Sequence, residues 1–177
     1  MKGSIISGFA GIGKTTLQKM YPKEVIDLES SDYKWRYLDE ETANMQKEER
    51  KGAENRVLNP EWPNNYLEAI LSKVQQYRYV LISQGNDIRD LLDKNRIDYI
   101  LAFPSIQCKN EYVERYKSRG NSDKFVALIE ENFARWIEEL SKCPQKKIII
   151  KPGNNLESEM KDLGLLGQNI NTEYDQR

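Results

Sequence analysis

The chain has 177 residues, of which 38% are hydrophobic and 31% charged, and its net charge at pH 7 is -1. A chain of this length buries enough apolar surface to fold without disulfides or a structural metal, and the balanced charge argues against a dedicated duplex-DNA binder. The sequence contains no histidine, which excludes catalysis by an imidazole base and zinc bound through imidazole.

Short apolar runs alternate with helix-like segments along the chain. Strands are predicted at residues 4–7, 25–28, 79–83, 99–103 and 147–150. Helices are predicted at residues 14–20, 67–74, 88–92, 110–118, 123–140 and 156–166, with Asn121 or Ser122 capping the long fifth helix. This alternation predicts an α/β fold, a three-layer αβα arrangement around a five-stranded, mostly parallel sheet, within a single domain over residues 1–177.

The first predicted strand runs into a glycine-rich segment, GFAGIGKTT, which we call the glycine-rich loop (residues 8–16). It fits the Walker A pattern G-x-x-x-x-G-K-[ST], in which glycines let backbone N–H groups approach phosphate oxygens. Lys14 is predicted to bridge the β- and γ-phosphates of ATP, and Thr15 to offer its hydroxyl to Mg2+. The predicted nucleotide-binding residues are Gly8, Gly11, Ile12, Gly13, Lys14, Thr15 and Thr16. The alternative is a turn that matches by chance, but its position between a strand and a helix favours nucleotide binding.

Acidic residues cluster at the end of the second predicted strand, in VIDLESSD, whereas the third and fourth strands end without a carboxylate. A carboxylate at this strand end suits a kinase, because it can orient an acceptor or accept its hydroxyl proton. We therefore predict a catalytic role for Asp32 and substrate contacts for Asp27 and Ser30. The alternative is that these side chains only cap a helix or face solvent.

Two arginines share one face of a charged helix predicted after the fourth strand, at about residues 109–121. Arg115 and Arg119 are four residues apart, and two guanidinium groups on one face can clamp a polyphosphate. The helix is therefore a candidate lid with two catalytic arginines. The alternative is surface pairing, because Glu111 also lies four residues before Arg115.

Four segments, GFAGIGKTT, DLESSDYKW, NPEWPNNY and EYVERYKSRGN, follow one another in this order over about residues 1–153. The combination resembles small P-loop nucleoside and nucleotide kinases, adenylate-kinase-like proteins of the phage and Firmicute type. The resemblance implies phosphate and magnesium roles for Lys14 and Thr15, and a lid role for Arg115 and Arg119. The chain has SQGNDIR where nucleoside monophosphate kinases carry D-G-[FY]-P-R, so Arg89 is the candidate contact for an acceptor phosphate.

The segment at about residues 30–66 is where such kinases bind the acceptor. Trp62 and Tyr66 are predicted to stack on a base, unless they are core aromatics at the start of a helix. Lys34, Arg36 and Arg56 are candidates for an acceptor phosphate, and Asp32 for an acceptor hydroxyl. The spacing of these residues leaves both alternatives open.

The expected function is phosphoryl transfer from ATP, with Mg2+, to a small-molecule acceptor that is a nucleotide or nucleoside. One alternative is a kinase of another hydroxyl acceptor, a small metabolite or a modified base in DNA. The other is a nucleotide-binding regulatory protein with negligible turnover. Two widely separated cysteines, a short apolar N-terminus and no long apolar run favour a cytoplasmic monomer or homodimer that binds neither a membrane nor duplex DNA.

Overall fold

The computed structural model describes residues 3–45 and 55–167. The strands in this part of the chain are β1 (Ser4–Gly8), β2 (Val25–Leu28), β3 (Trp35–Tyr37), β4 (Arg56–Leu58), β5 (Tyr79–Ser83), β6 (Ile100–Pro104) and β7 (Lys146–Ile150). The α-helices are α1 (Lys14–Met20), α2 (Ser31–Lys34), α3 (Glu40–Asn44), α4 (Asn64–Lys73), α5 (Asn86–Lys94), α6 (Lys109–Ser118), α7 (Asp123–Lys142) and α8 (Leu156–Asp162). A short 3-10 helix, Ile106–Cys108, precedes α6.

Five of the described strands form a parallel sheet in the order β2-β5-β1-β6-β7, flanked by helices. Four of the five are mostly apolar, and β1 and β5 carry the buried runs expected for strands covered on both faces, whereas β7 begins with two lysines and exposes Ile149. β1 pairs with β5 from Ser4 opposite Tyr79 to Gly8 opposite Ser83. The predicted α/β class and the five-stranded sheet are therefore confirmed, and the arrangement is compatible with three layers.

The prediction missed a two-stranded antiparallel ribbon formed by β3 and β4. Neither strand is an apolar run, and Val57 and Leu58 are exposed, so the usual signal of a half-buried strand is absent. Backbone bonds extend the pairing at both ends, from Asn59 N to the Lys34 oxygen at 2.8 Å and from Leu38 N to the Asn55 oxygen at 3.1 Å. The ribbon lies within the segment predicted to bind the acceptor.

The helix predicted at residues 156–166 is shorter than expected and ends at Asp162. Gly164 takes a φ of 67°, a backbone conformation that an α-helix does not contain. Of the two predicted caps of α7, the structure uses Ser122, whose Oγ accepts a hydrogen bond from Phe125 N at 3.3 Å. The remaining predicted helices are found within a few residues of their expected bounds.

The described residues divide into two compact units. The first holds the described residues up to Ala10 together with Lys14–Leu101. Its core includes Leu17 of α1, Ile70 of α4 and the central residues of β1 and β5, all with almost no exposed surface. The prediction of a single domain stays a prediction.

Tyr66 of α4 forms hydrogen bonds to two strands of the first unit. Its side chain is completely buried, and its hydroxyl donates a hydrogen bond to the Leu28 oxygen at 2.5 Å and accepts one from Ser83 N at 3.3 Å. Burial is the main cause that raises the pKa of Tyr66, so the phenol stays protonated and keeps its donor. The carboxyl ends of β2 and β5 are thereby joined through one hydroxyl.

The second unit holds Gly11–Gly13 and the described residues from Ala102 onward. Its largest helix, α7, buries one apolar stripe, made of Val126, Ile129, Phe133, Ile137 and Leu140. The steps of three and four residues in that stripe are those of one helical face. No helix in the described ranges is both long and apolar enough to span a bilayer.

Tyr66→Phe is expected to lower the free energy of unfolding by about 1–3 kcal/mol, because it leaves the Ser83 N–H and the Leu28 carbonyl oxygen without their hydrogen-bond partner. Tyr77→Phe is the matched control, since Tyr77 is a partly buried tyrosine of the same unit whose ring contacts Lys73. Urea denaturation of both variants measures the difference. Equal stabilities for the two variants would contradict the bridging role of the Tyr66 hydroxyl.

Candidate functional site

The glycine-rich loop connects β1 to α1, the strand and helix that the sequence predicted around it. Gly11 and Gly13 adopt φ values of 80° and 103°, in the left-handed region where a Cβ is strained. A Cβ on Gly11 would lie 3.4 Å from the Tyr116 hydroxyl. The two glycines are therefore required by the backbone and not only by the motif.

Lys14 is the first residue of α1 and is partly buried. Its amine donates hydrogen bonds to the carbonyl oxygens of Gly8 at 3.1 Å and Phe9 at 3.2 Å. The lysine predicted to contact phosphate thus folds back over the start of the loop, where it places a positive charge beside the loop backbone.

Thr15 and Asp27 are brought together although the sequence assigned them to different roles. The Thr15 hydroxyl donates a hydrogen bond to Asp27 Oδ2 at 2.8 Å. The Asp27 backbone N–H donates to Gln18 Oε1 at 2.6 Å, which ties β2 to α1. The second carboxylate oxygen, Oδ1, is buried and has no hydrogen-bond partner among the described residues. A hydroxyl beside an incompletely satisfied carboxylate is an oxygen set that a hard divalent cation prefers.

Three other predicted residues, Ser30, Asp32 and Thr16, lie on or beside these elements. Asp32 is exposed in the first turn of α2, and its charge is a secondary cause, after burial, of the raised pKa of Tyr33. Ser30 precedes α2 without capping it through its side chain. Thr16 is exposed. The structure therefore gives the contact with the loop threonine to Asp27 and not to Asp32.

Three side chains of the predicted acceptor segment and α5 form a compact cluster. Asp87 Oδ2 accepts hydrogen bonds from the Trp62 indole N–H at 3.0 Å and from the Lys34 amine at 3.3 Å. The same amine lies 5.1 Å from the centroid of the Trp62 ring, within cation–π range. The cluster joins a flat ring to one positive and one negative charge.

The two aromatics predicted to stack on a base have different surroundings. Trp62 is partly buried and stacks on Tyr66 with ring centroids 5.5 Å apart. Tyr66 is fully buried, so its ring has no face left for a ligand. The core alternative therefore holds for Tyr66, and a stacking role remains a prediction for Trp62 alone.

The basic residues of this region already have partners. Arg36 pairs with Glu61 at 3.7 Å, and the Arg56 guanidinium lies 4.5 Å from the centroid of the Trp35 ring. Arg89 donates to Asn86 Oδ1 at 2.6 Å. A phosphate that bound to Arg36 would have to compete with a carboxylate.

In the second unit, Arg115 is fixed by three neighbours. Nη1 donates to the Gly11 carbonyl oxygen at 2.6 Å, Nη2 forms an ion pair with Glu111, and the guanidinium lies 4.5 Å from the centroid of the Tyr112 ring. Burial raises the pKa of Tyr112 to about 12, so this ring stays neutral beside the cation. The surface pairing considered for Glu111 and Arg115 is present, together with a contact to the loop.

Arg119, one turn further along the same face, is exposed and has no ion pair within the described ranges. Its Nη1 lies 3.6 Å from the position that a Cβ on Gly11 would occupy. The two arginines predicted from their spacing therefore converge on Gly11, one held by neighbours and one available.

Sequence reasoning missed the segment between β7 and α8. Leu156 N donates to the Ile12 carbonyl oxygen at 2.9 Å, and Asn155 lies close to Gly13 while capping α8. Glu159, only 4% exposed, organises the segment by accepting hydrogen bonds from Lys151 N at 3.0 Å and Asn154 Nδ2 at 2.8 Å. The capping pair Asn155 and Ser158 was the available sequence signal.

Comparison with known proteins finds no relative of the chain. The chain matches no protein-family model, and no curated protein matches it.

Glu159 makes the stability of the second unit depend on pH. Burial by itself raises the pKa of this carboxyl, but hydrogen bonds from Asn154 and Lys151 N, with the Lys151 charge, bring the pKa below its ordinary value of 4.5. A lowered folded-state pKa means that the stabilisation is present above about pH 4.5 and is lost as the pH falls through the folded-state pKa.

Glu159→Gln is accordingly expected to lower the free energy of unfolding by about 1–3 kcal/mol at pH 7. Below about pH 4.5, the ordinary pKa of the group, the difference from the wild type should shrink. Urea denaturation over a pH series measures both effects, with Glu131→Gln on the exposed side of α7 as the control. A difference that is constant over all pH values would contradict the assignment.

Proposed function

We propose that the protein is a P-loop phosphotransferase of the small nucleotide-kinase type that uses ATP and Mg2+. The observation that carries the proposal is the hydrogen bond from Thr15 to Asp27, directly after a loop with the Walker A pattern. The motif alone does not name a carboxylate partner. The Thr15–Asp27 contact joins the residue expected at the metal to an acid with one unpartnered oxygen.

The role proposed for each residue follows from its charge and its hydrogen-bonding groups. Lys14 would bind the β- and γ-phosphates, and Thr15 and Asp27 would hold the metal. When bound, Mg2+ would supply positive charge that offsets the negative charge of the transferred phosphoryl group. Arg119 is the candidate contact for the transferred phosphoryl group, and Arg115 holds the Gly11 carbonyl of the loop.

The acceptor is a nucleotide or nucleoside whose base stacks on Trp62, with Asp32, Ser30 and Arg89 as further contacts. The hydrogen bond from the Trp62 indole N–H to Asp87 fixes the orientation of the ring, and therefore the direction of the face on which the base stacks. Asp32 acts as the acceptor-side acid, since it is exposed and has no part in the Thr15 contact.

One observation favours a second candidate, a kinase whose acceptor is the neutral hydroxyl of a small metabolite or of a modified base in DNA. Two cations proposed for an acceptor phosphate, Lys34 and Arg36, are already paired with Asp87 and Glu61. A hydroxyl acceptor needs no such cation and requires a carboxylate to take its proton.

A turnover panel separates these proposals. The purified protein is incubated with ATP and Mg2+ and, in turn, with nucleosides, nucleoside monophosphates, sugars and oligonucleotides, and both ADP and phosphorylated product are measured. Product with a nucleoside or a nucleoside monophosphate supports the first candidate, and product only with a sugar or an oligonucleotide supports the second. If no acceptor is phosphorylated and ATP does not raise the melting temperature, the proposal is wrong.

Lys14→Ala is expected to lower kcat on the order of 10²–10³-fold, the loss typical of one removed charge-stabilising donor. Its folding should be preserved, because the side chain is only partly buried and its hydrogen bonds to the carbonyls of Gly8 and Phe9 stay within the glycine-rich loop. Lys19→Ala removes an exposed lysine from the same helix and is the control. Kinetics and circular dichroism measure activity and folding. Wild-type activity in Lys14→Ala would remove Lys14 from the mechanism.

Asp27→Asn keeps an acceptor for the Thr15 hydroxyl but removes the negative charge. We expect activity at limiting Mg2+ to fall roughly 10–100-fold, as when the partner of a metal ligand is lost, and saturating Mg2+ to restore part of it. Activity titrated against Mg2+ at fixed ATP is the measurement, and Asp98→Asn, at an exposed site of the same unit, is the control. An unchanged Mg2+ dependence would rule Asp27 out of the metal site.

A further inference from the structure

The Glu111 carboxylate contacts two separate segments of the second unit. One oxygen forms the ion pair with Arg115, and the other, Oε2, accepts a hydrogen bond from Gly153 N at 3.0 Å. The Glu111 side chain is about one-third exposed, at 34%, and Arg115 is 24% exposed. The spacing of Glu111 and Arg115 predicted only a surface pair, whereas Gly153 lies 42 residues away along the chain.

Each of the two segments that Glu111 contacts also binds the glycine-rich loop. Arg115 donates to the carbonyl oxygen of Gly11 at 2.6 Å. The segment that begins at Gly153 leads into Leu156, whose N–H donates to the carbonyl oxygen of Ile12 at 2.9 Å. Two consecutive loop carbonyls are therefore held by two donors, and one carboxylate joins the segments that supply them.

We propose that Glu111 is a positioning residue. It fixes Gly11 and Ile12 of the glycine-rich loop by holding Arg115 and the segment 153–156 in place. Its effect on turnover rests on the proposed function, whereas its effect on the loop does not. Arg115 contacts Gly11 by a single hydrogen bond and lies over the Tyr112 ring, and its guanidinium needs a charged anchor to keep that direction. Glu111 is the anion that supplies the anchor.

The substitution Glu111→Gln tests the need for both oxygens. A carboxylate accepts at either oxygen, whereas a carboxamide has one acceptor and one donor group. Whichever way the amide turns, its NH2 meets a donor, from Arg115 or from Gly153. The variant keeps the size of the side chain and breaks one of the two contacts.

Glu114→Gln is the matched control. Glu114 lies on the same helix, α6, and is 72% exposed in a surface pair with Lys117 at 2.9 Å. Three measurements are made on the wild type and both variants: amide hydrogen exchange, thermal unfolding, and kcat with KM for ATP. The exchange measurement uses the ligand-free protein, so it does not depend on activity.

In Glu111→Gln, exchange at residues 11–13 and 151–156 should rise roughly tenfold, about the effect of one lost hydrogen bond, while β5 and α7 keep wild-type rates. We expect kcat to fall on the order of 10–100-fold, the cost of a misplaced catalytic element, with little change in KM. Glu114→Gln should match the wild type. Combining Glu111→Gln with Arg115→Ala should add little to the loss caused by Arg115→Ala.

Three results would overturn the inference: unchanged exchange at both segments, acceleration of all amides alike, which means general destabilisation, or faster local exchange with unchanged kcat. A wild type that neither binds nor turns over ATP would defeat the proposed function instead. In that case the exchange rates alone decide whether Glu111 positions the loop.

Discussion

The carbonyl oxygens of the glycine-rich loop need donors, because two positive-φ glycines keep its backbone out of a regular helix or strand ladder. The structure supplies a donor for each of four carbonyls. The Lys14 amine donates to the carbonyls of Gly8 and Phe9, Arg115 donates to that of Gly11, and the Leu156 N–H donates to that of Ile12. Much of the surrounding sequence serves this requirement, since Glu111 holds Arg115, and Glu159 and Asn155 shape the segment that carries Leu156.

Sequence patterns predicted the elements of the sheet well for a physical reason. Strands buried on both faces must be continuous apolar runs, and runs such as YVLIS leave little alternative. The β3–β4 ribbon was missed because its residues are largely exposed, so burial left no pattern in them. The same limit applies to Tyr66, for which spacing alone could not separate a core residue from a base-stacking one.

The residues of the candidate site were likewise predictable only in part. The motif located Lys14 and Thr15, because the Walker A pattern fixes neighbouring residues in one loop. The partner of Thr15 was not predictable from spacing, because it depends on how β2 is placed beside α1. Asp27 lies within β2 and Asp32 in the helix that follows it, and only the structure shows that Asp27 meets the hydroxyl. The second contact of Glu111 is equally long-range.

The hydroxyl of Tyr66 has a mechanical consequence for the segment between β2 and α4. It bonds to Leu28, 38 residues earlier in the chain, and so closes that segment into a loop whose two ends are pinned inside the first unit. The closure entropy of such a loop depends only weakly on its length. The chain between β2 and α4 can therefore accept insertions while Asp27 stays in place beside Thr15.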